Sequence, residues 1–105
     1  MTSVIEALVS HAHQAKYILC LYVSGSTLKS ARAVVNIKRI CEEYLKNRYT
    51  LEVIDVYQQP DLARRDQIVA VPTLIKRSPL PPRRLVGDLS NRERVLAGLD
   101  LNEQI

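Results

Sequence analysis

Tyr17-Ile-Leu-Cys-Leu-Tyr-Val23 is a nearly unbroken apolar stretch, and it decides how this chain of 105 residues folds. Its residues suit a pleated surface, and the lack of polar alternation predicts a strand that is buried on both faces. Ser24-Gly25-Ser26-Thr27 follows at once, and these small residues end the strand in a turn. The side chain of Ser26 or Thr27 can cap a helix that begins there.

The residues after this turn complete a βαβ unit. Apolar side chains recur every three or four positions from Ala31 to Tyr44, so a helix is predicted to run to about Asn47. Thr50-Leu-Glu-Val-Ile-Asp-Val56 alternates and is rich in β-branched residues, which is typical of a second strand. Strand, helix and strand together predict a right-handed crossover with the two strands parallel.

Prolines interrupt the second half of the chain. Pro60-Asp61 opens a short helical pattern. Thr73-Leu-Ile-Lys76 and Leu85-Val-Gly-Asp-Leu89 are predicted strands, the second of them a short edge strand. The three prolines between them, at positions 79, 81 and 82, forbid a helix interior and a central strand there.

A last helix is predicted from Ser90, because Glu93 follows three positions later and the two residues form a capping box. The resulting order is β-α-β-α-β-β-α, with Pro72 just before the third strand, and it resembles the thioredoxin fold. In that fold a Cys-x-x-Cys motif between the first strand and the first helix carries the redox chemistry. Ser24-Gly25-Ser26-Thr27 occupies that place here, so the scaffold is predicted without its nucleophile.

Length and composition describe one folded domain, with 47% hydrophobic and 25% charged residues. No apolar run approaches the roughly 20 residues that cross a bilayer, and the first residues lack the pattern of a signal peptide. We therefore expect a cytoplasmic protein with no membrane partner. Residues 1–15 form an amino-terminal extension, in which a marginal amphipathic helix is predicted from Val4, Ile5, Leu8, Val9 and Ala12.

The two cysteines, Cys20 and Cys41, fit neither a disulfide framework nor a metal-ligand spacing. We expect two thiols that fill space in the core, and the sequence shows no neighbouring cation that would activate either. His11 and His13 are interpreted as an incidental surface pair. The sequence therefore predicts no catalytic residue, metal or cofactor. A thioredoxin-like redox enzyme that uses Cys20 or Cys41 is the competing hypothesis.

Positive charge is concentrated in one segment. The formal net charge is +4, and residues 76–94 hold six basic and two acidic side chains. Such a stripe can meet phosphate, an acidic protein surface or only water. The chain has no Trp, no Phe and five scattered Tyr, whereas nucleic-acid modules present aromatic side chains for base stacking. A protein partner is therefore favoured over nucleic acid. A merely solvated face and a stress-response oligomer that binds nucleic acid stay open as alternatives.

Five stretches of the chain, taken in order, resemble the KaiB family of circadian-clock proteins. The likeness covers roughly residues 16–101 and leaves residues 102–105 as a tail. The series is specific because a proline-rich interruption separates its last two members. The stretches are Leu21-Tyr-Val-Ser-Gly-Ser-Thr27, Val53-Ile-Asp-Val56, Pro60-Asp-Leu-Ala63, Ala70-Val-Pro-Thr-Leu74 and Leu85-Val-Gly-Asp-Leu-Ser-Asn-Arg-Glu-Arg-Val-Leu-Ala-Gly-Leu-Asp-Leu101.

The resemblance implies a non-enzymatic regulator that changes its fold. KaiB-like proteins rest as tetramers in a β-α-β-β-α-α-β arrangement and slowly convert their second half to the thioredoxin-like β-α-β-α-β-β-α arrangement. In that second state they bind the amino-terminal ATPase ring of KaiC, displace SasA and capture KaiA or CikA. For this chain the resemblance therefore implies a KaiC-type ATPase as partner and self-association as a homotetramer or dimer.

The resemblance also assigns partner contacts, chiefly on the short helix that follows the second strand. The family carries an acidic pair before Asp-Lys there, whereas this chain has two arginines before Asp-Gln. The reversed charge can exclude the usual partner, so the chain is interpreted as a divergent paralogue that binds a different KaiC-like ATPase, or none. The implied contacts are Arg64, Arg65, Asp66, Gln67, Lys76, Arg83 and Arg84.

A further group of residues is predicted to set the balance between the two arrangements. Gly98 costs the last helix about 1 kcal/mol relative to Ala, and Asp100 adds an anion at the negative end of the helix dipole, worth about 0.3 to 1 kcal/mol. Gly98→Ala combined with Asp100→Arg is therefore expected to enrich the thioredoxin-like monomer. Slow isomerisation of X-Pro bonds is the second suggested contribution, with a rigid loop as the other interpretation. It concerns Pro72, Pro79, Pro81 and Pro82.

Overall fold

The computed structural model describes residues 15–101, and these residues form a four-stranded sheet with helices on both faces. The predicted amino-terminal helix and the His11/His13 pair lie outside the described residues. The elements in chain order are β1 (Tyr17–Val23), α1 (Leu28–Tyr44), β2 (Tyr49–Asp55), α2 (Pro60–Arg65), β3 (Thr73–Ser78), β4 (Arg83–Val86) and α3 (Arg92–Gly98). This order confirms the thioredoxin-like arrangement that the sequence predicts. The β-α-β-β-α-α-β arrangement stays a prediction.

The strands lie in the order β2-β1-β3-β4. β1 pairs with β2 in parallel, from Tyr17 opposite Tyr49 to Val23 opposite Asp55, which confirms the predicted crossover. β3 is antiparallel to β1, and β4 is antiparallel to β3. β4 was expected over residues 85–89, but the strand ends at Val86. The chain turns at Gly87, whose φ of 122° is open to glycine and strained for other residues.

Two helix boundaries differ from the predictions, each for a local reason. α1 begins as predicted, with the Thr27 hydroxyl accepting a hydrogen bond from the Ser30 amide at 3.2 Å. It ends at Tyr44 rather than near Asn47, because the chain there turns through a left-handed conformation at Asn47, with a φ of 64°.

The capping box predicted at Ser90 is wrong. Asn91 caps α3 instead, since its side-chain oxygen accepts a hydrogen bond from the Arg94 amide at 3.0 Å. The Ser90 amide donates to Asp88 Oδ1 at 3.0 Å and so belongs to the preceding turn. Ser90 and Asn91 are both good capping residues, and the turn at Asp88 decides between them.

β1 is buried on both faces except at Ile18, which largely agrees with the prediction from its continuous apolar sequence. On one face, here called the α1 face, Leu19 and Leu21 pack with α1 and α3 in the larger core cluster. On the other face, here called the α2 face, Cys20 and Tyr22 pack with Ile54 and Ile75 in a smaller cluster beneath α2. The described helices include none that is long and apolar enough to cross a membrane.

Candidate interaction surface

The place of the thioredoxin redox motif holds the turn between β1 and α1, and its residues Ser24 to Thr27 include no thiol. Both cysteines are buried. Burial raises the pKa of the Cys41 thiol to about 12. Burial also raises the pKa of Cys20, although Arg77 lies beside it and acts in the opposite direction. The expectation that no cation neighbours Cys20 is therefore wrong, yet neither thiol has the exposure and lowered pKa of a nucleophilic cysteine.

Asp66, at the end of α2, organises a group of side chains on the α2 face. Its carboxylate accepts a hydrogen bond from Arg77 Nη2 at 2.6 Å and another from the hydroxyl of Tyr22. Arg77 holds the pKa of this carboxyl below its usual value. Burial and the bond to Asp66 raise the pKa of Tyr22 to about 12. The Arg84 guanidinium donates hydrogen bonds to the backbone carbonyls of Asp66 and Gln67. It thus satisfies carbonyls that have no helical partner at the end of α2.

These contacts gather four arginines, Arg64, Arg65, Arg77 and Arg84, on one side of the molecule, here called the arginine surface. The side chains of Arg64 and Arg65 are 71% and 65% exposed, and Arg64 pairs with Asp61, which is still more exposed. The predicted residues Arg64, Arg65 and Gln67 thus lie together, and Arg84 joins them from β4. Asp66 also lies there, but its side chain is only 13% exposed and its carboxylate is used internally.

Arg77 was not among the predicted contacts. It could have been predicted from strand geometry, because neighbouring side chains of a strand point to opposite faces of the sheet. Lys76 and Arg77 were equally basic in the sequence, but Lys76 lies on the α1 face and Arg77 on the α2 face. The prediction named Lys76, which lies on the opposite face from this surface, and did not name Arg77, which lies on it.

Lys76 thus lies away from the arginine surface in this arrangement, and its role as a partner contact stays a prediction. Its side chain is 1% exposed, and its ammonium lies 2.5 Å from Asp100 Oδ2 and 5.9 Å from the centre of the Tyr17 ring. Arg83, the other predicted contact on this face, lies 3.5 Å from Asp100 Oδ1. Lys76 and Arg83 thus stabilise the end of α3 and do not contribute to the arginine surface.

The predicted switch residues lie where α3 ends against the sheet. A Cβ at Gly98 would approach Leu85 Cδ2 to 2.5 Å, so that side chain must move if alanine is introduced. The next carbonyl, that of Leu99, accepts a hydrogen bond from the Tyr17 hydroxyl at 2.9 Å. Asp100 adopts a φ of 58°, and Lys76 lowers the pKa of its carboxyl. Asp100 therefore makes a favourable contact that the dipole argument did not include.

The prolines lie at both ends of β3. Pro72, which precedes the strand, is buried, and its carbonyl accepts a hydrogen bond from the Gly87 amide at 3.0 Å. Pro79, Pro81 and Pro82 form most of the connection between β3 and β4. Their contribution to a slow conversion stays a prediction.

Comparison with known proteins indicates the same family that the sequence resembles. The model of the KaiB domain family matches residues 20–101. The circadian clock oscillator protein KaiB of Prochlorococcus marinus subsp. pastoris is 56% identical over 85 residues, which is 81% of this chain and 79% of that protein. The circadian clock protein KaiB3 of Synechocystis is 46% identical over 86 residues, or 82% and 84% of the two chains.

Solved structures agree with the fold. The amino-terminal domain of SasA from Synechococcus elongatus superposes with a TM-score of 0.66 and 27% identity, and the match covers 87% of this chain and 90% of that domain. Thioredoxins of 13% to 17% identity share the same fold. At that identity the likeness concerns the fold alone.

Proposed function

Because this chain belongs to the KaiB family, we propose that it is a non-enzymatic regulator of a circadian clock, or of a system derived from one, and that it binds a KaiC-type ATPase in its thioredoxin-like arrangement. Its curated relatives are circadian clock proteins. The buried thiols and the turn without cysteine support a binding role rather than thiol chemistry.

The arginine surface is the observation that carries the choice of docking face. Asp66 fixes Arg77, and Arg84 is held by the end of α2, so these guanidiniums are ordered before a partner arrives. Arg64 and Arg65 extend the same surface into solvent. Arginine is enriched where protein interfaces derive much of their binding energy, because its planar group pairs with carboxylates in two places. The partner is therefore proposed to present an acidic patch to this surface.

Competition with SasA and recruitment of KaiA or CikA belong to the same proposal. The described fold is similar to the amino-terminal domain of SasA, with a TM-score of 0.66. Two domains of the same shape can occupy one docking site in turn, which supports competition between them. KaiA or CikA would then bind to the ATPase complex that this chain has formed.

A change of fold is proposed to set the timing. Written in element order, β-α-β-β-α-α-β and β-α-β-α-β-β-α agree up to β2 and differ at every later element. Conversion must therefore break the contacts that hold α3, namely Tyr17 with Leu99 and Lys76 with Asp100. A partner that binds only the thioredoxin-like arrangement enriches it by its differential affinity. The resting state is proposed to be a homotetramer or a dimer.

Binding to KaiC-type ATPases from the same organism tests this function. The chain is incubated for a day with each purified ATPase, and complex formation is measured by size-exclusion chromatography and biolayer interferometry. We expect a complex with at least one of them. Arg64→Glu with Arg65→Glu is expected to weaken it at least about tenfold, since like charges then face each other.

Lys38→Glu with Arg39→Glu, on the exposed side of α1, is the matched control because it changes the net charge equally. This control is expected to retain most of the affinity. If both double variants lowered the affinity equally, the loss would be a general effect of net charge, and the arginine surface would not be the docking surface. No complex with any ATPase would remove the proposed function.

A further inference from the structure

A cavity of about 240 Å³ lies on the α1 face, between the start of α1 and the start of α3. Leu85, Leu89 and Val95 supply its apolar surface, and the basic residues Lys29 and Arg94 also line it. Since liquid water fills about 30 Å³ per molecule, the cavity has room for a ligand of roughly eight to ten non-hydrogen atoms. None of the residues that line it belongs to the arginine surface.

The connection between β4 and α3 forms this cavity before any ligand arrives. Its backbone has a positive φ at Gly87 and again at Leu89, whose φ is 63°. The Gly87 amide donates a hydrogen bond to the Pro72 carbonyl at 3.0 Å, and Asn36 Nδ2 donates to the Asp88 carbonyl at 2.8 Å. Leu89 is 7% exposed, so its side chain anchors the connection in the core. The folded backbone therefore fixes the shape of the cavity, as in most ligand sites.

Arg94 is unusual among the basic side chains that the structure describes after β2, because it makes no ion pair. Arg84, which also lacks an acidic partner, donates instead to two backbone carbonyls. The remaining side chains of this group pair with carboxylates, and they are Arg64, Arg65, Lys76, Arg77, Arg83 and Arg92. Arg94 therefore has a positive charge available for a ligand.

Lys29 lines the same cavity and likewise makes no ion pair with a carboxylate of residues 15–101. It lies in the first turn of α1, which contains no acidic residue. A cation at that place is unfavourable, since the amino-terminal end of a helix carries a partial positive charge. Lys29 thus does not stabilise its own helix, and an anion in the cavity would offset both positive charges.

Asp88 is the acidic residue of the lining, and its carboxylate belongs to the adjoining turn. Hydrogen bonds from Ser90 hold the pKa of this carboxyl below its usual value, and one of them joins the Ser90 amide to Oδ1 at 3.0 Å. Asp88 is therefore charged at neutral pH, and together with Lys29 and Arg94 it leaves a single net positive charge. That charge matches a monoanion, whereas a phosphate monoester carries about −1.5 to −2 at pH 7.

We propose that this cavity binds a small monocarboxylate with a short hydrocarbon chain. The carboxylate lies between Lys29 and Arg94, and the planar guanidinium of Arg94 can bind both of its oxygens. The hydrocarbon chain lies over Leu85 and Val95 and removes apolar surface from water. The ligand is a free acid rather than a protein segment, because roughly eight to ten non-hydrogen atoms fill the cavity.

Titration of the isotope-labelled chain with hexanoate, which has this size, tests the inference. Chemical shifts are followed in the set of signals with helical shifts over Arg92–Gly98, so that the measurement concerns the thioredoxin-like arrangement. We expect saturable changes at Gly87, Ser90 and Arg94 with a Kd of about 1 mM. Acetate, which lacks the hydrocarbon chain, is expected to bind at least about tenfold more weakly. Hexylamine, which carries the opposite charge, is expected to cause no such changes.

Arg94→Gln and Lys29→Gln are each expected to weaken hexanoate binding about fivefold, since either variant removes a positive charge that pairs with the carboxylate. Arg32→Gln is the matched control, because it removes an exposed cation from the next turn of α1 that does not line the cavity. This control is expected to change the Kd by less than about twofold, because solvent and salt screen the more distant charge. All three side chains are exposed, so the variants retain the fold.

Changes that rise linearly with hexanoate, without saturation, would overturn the proposal, and so would changes of the same size with hexylamine. Equal weakening by Arg32→Gln and Arg94→Gln would reveal a general effect of charge and overturn it as well. Tighter binding of inorganic phosphate than of hexanoate would contradict the monocarboxylate as the class of ligand. These outcomes are independent of ATPase binding, because no residue of the lining belongs to the arginine surface.

Discussion

Asp66→Asn is expected to lower the free energy of unfolding of the thioredoxin-like monomer by about 2 kcal/mol. The substitution removes the charge that orders Arg77 and weakens the bond from the buried Tyr22 hydroxyl. The estimate is below the full cost of breaking a buried pair, because Arg77 is partly exposed and water can solvate it. Urea denaturation of the monomer fraction measures the effect.

The effect of Asp66→Asn should depend on pH. The folded-state pKa of Asp66 lies below the ordinary value of 3.8, so the carboxylate stabilises the fold at neutral pH. This stabilisation is lost as the pH falls below 3.8 through the folded-state pKa. The difference between the wild-type chain and Asp66→Asn is therefore expected to be constant near neutrality and to shrink in acid.

Asp61→Asn is the control for this prediction, since Asp61 belongs to the same short helix and also pairs with an arginine. Its side chain is 88% exposed and that of Arg64 is 71% exposed. Surface pairs of this kind contribute about 0 to 1 kcal/mol, so a small change is expected. Equal effects of Asp61→Asn and Asp66→Asn would show that Asp66 does not organise the α2 face.

Lys76 and Asp100 are expected to show a coupling free energy of about 2 kcal/mol in a double-mutant cycle. Asp100→Asn leaves an ammonium that is 1% exposed without its carboxylate partner. In the Lys76→Met background the same substitution removes only the exposed pair between Asp100 and Arg83, which should cost little. Unfolding free energies of the four monomeric proteins measure this coupling.

The size of this coupling decides whether the ion pair or the helix dipole dominates at Asp100. The unfavourable dipole term is about 0.3 to 1 kcal/mol, which is smaller than the expected loss of the ion pair. A coupling free energy near zero, together with stabilisation of the monomer by Asp100→Asn, would show that the ion pair does not stabilise the fold. The unfavourable helix-dipole effect would then dominate at Asp100. Gly98→Ala with Asp100→Arg can therefore enrich the monomer only if the two substitutions destabilise the tetramer more than they destabilise the thioredoxin-like fold.

The sequence predicted the elements whose signals are local. β1 has a long apolar run, and α1 has Thr27 as a cap and a clear helical period. β1 and the start of α1 were therefore found where the structure has them, whereas the end of α1 was placed about three residues too late. The capping residue of α3 was predicted one position too early, because Ser90 and Asn91 have equal capping ability. Their difference lies in the bond from the Ser90 amide to Asp88, which no residue pattern contains.

The candidate site was predicted in part, because charge can be counted along a chain whereas partners depend on the packed sheet. Arg64, Arg65 and Arg84 were chosen from charge and from the resemblance to the family, and the structure places them on one surface, while their contact with a partner stays a prediction. Arg77 was not named and Lys76 was placed with these arginines, since the sequence alone did not fix the register and faces of β3. The same limit applies to Asp100, whose favourable contact comes from a residue 24 positions away.

Backbone chemical shifts of the isotope-labelled chain, measured alone and bound to a KaiC-type ATPase, test the central claim most directly. The account predicts two slowly exchanging sets of signals after Asp55 in the free chain. In the bound chain a single set should remain, with strand shifts over Thr73–Ser78 and helical shifts over Arg92–Gly98. One unchanging set in both samples, or helical shifts over Thr73–Ser78 in the complex, would contradict the account.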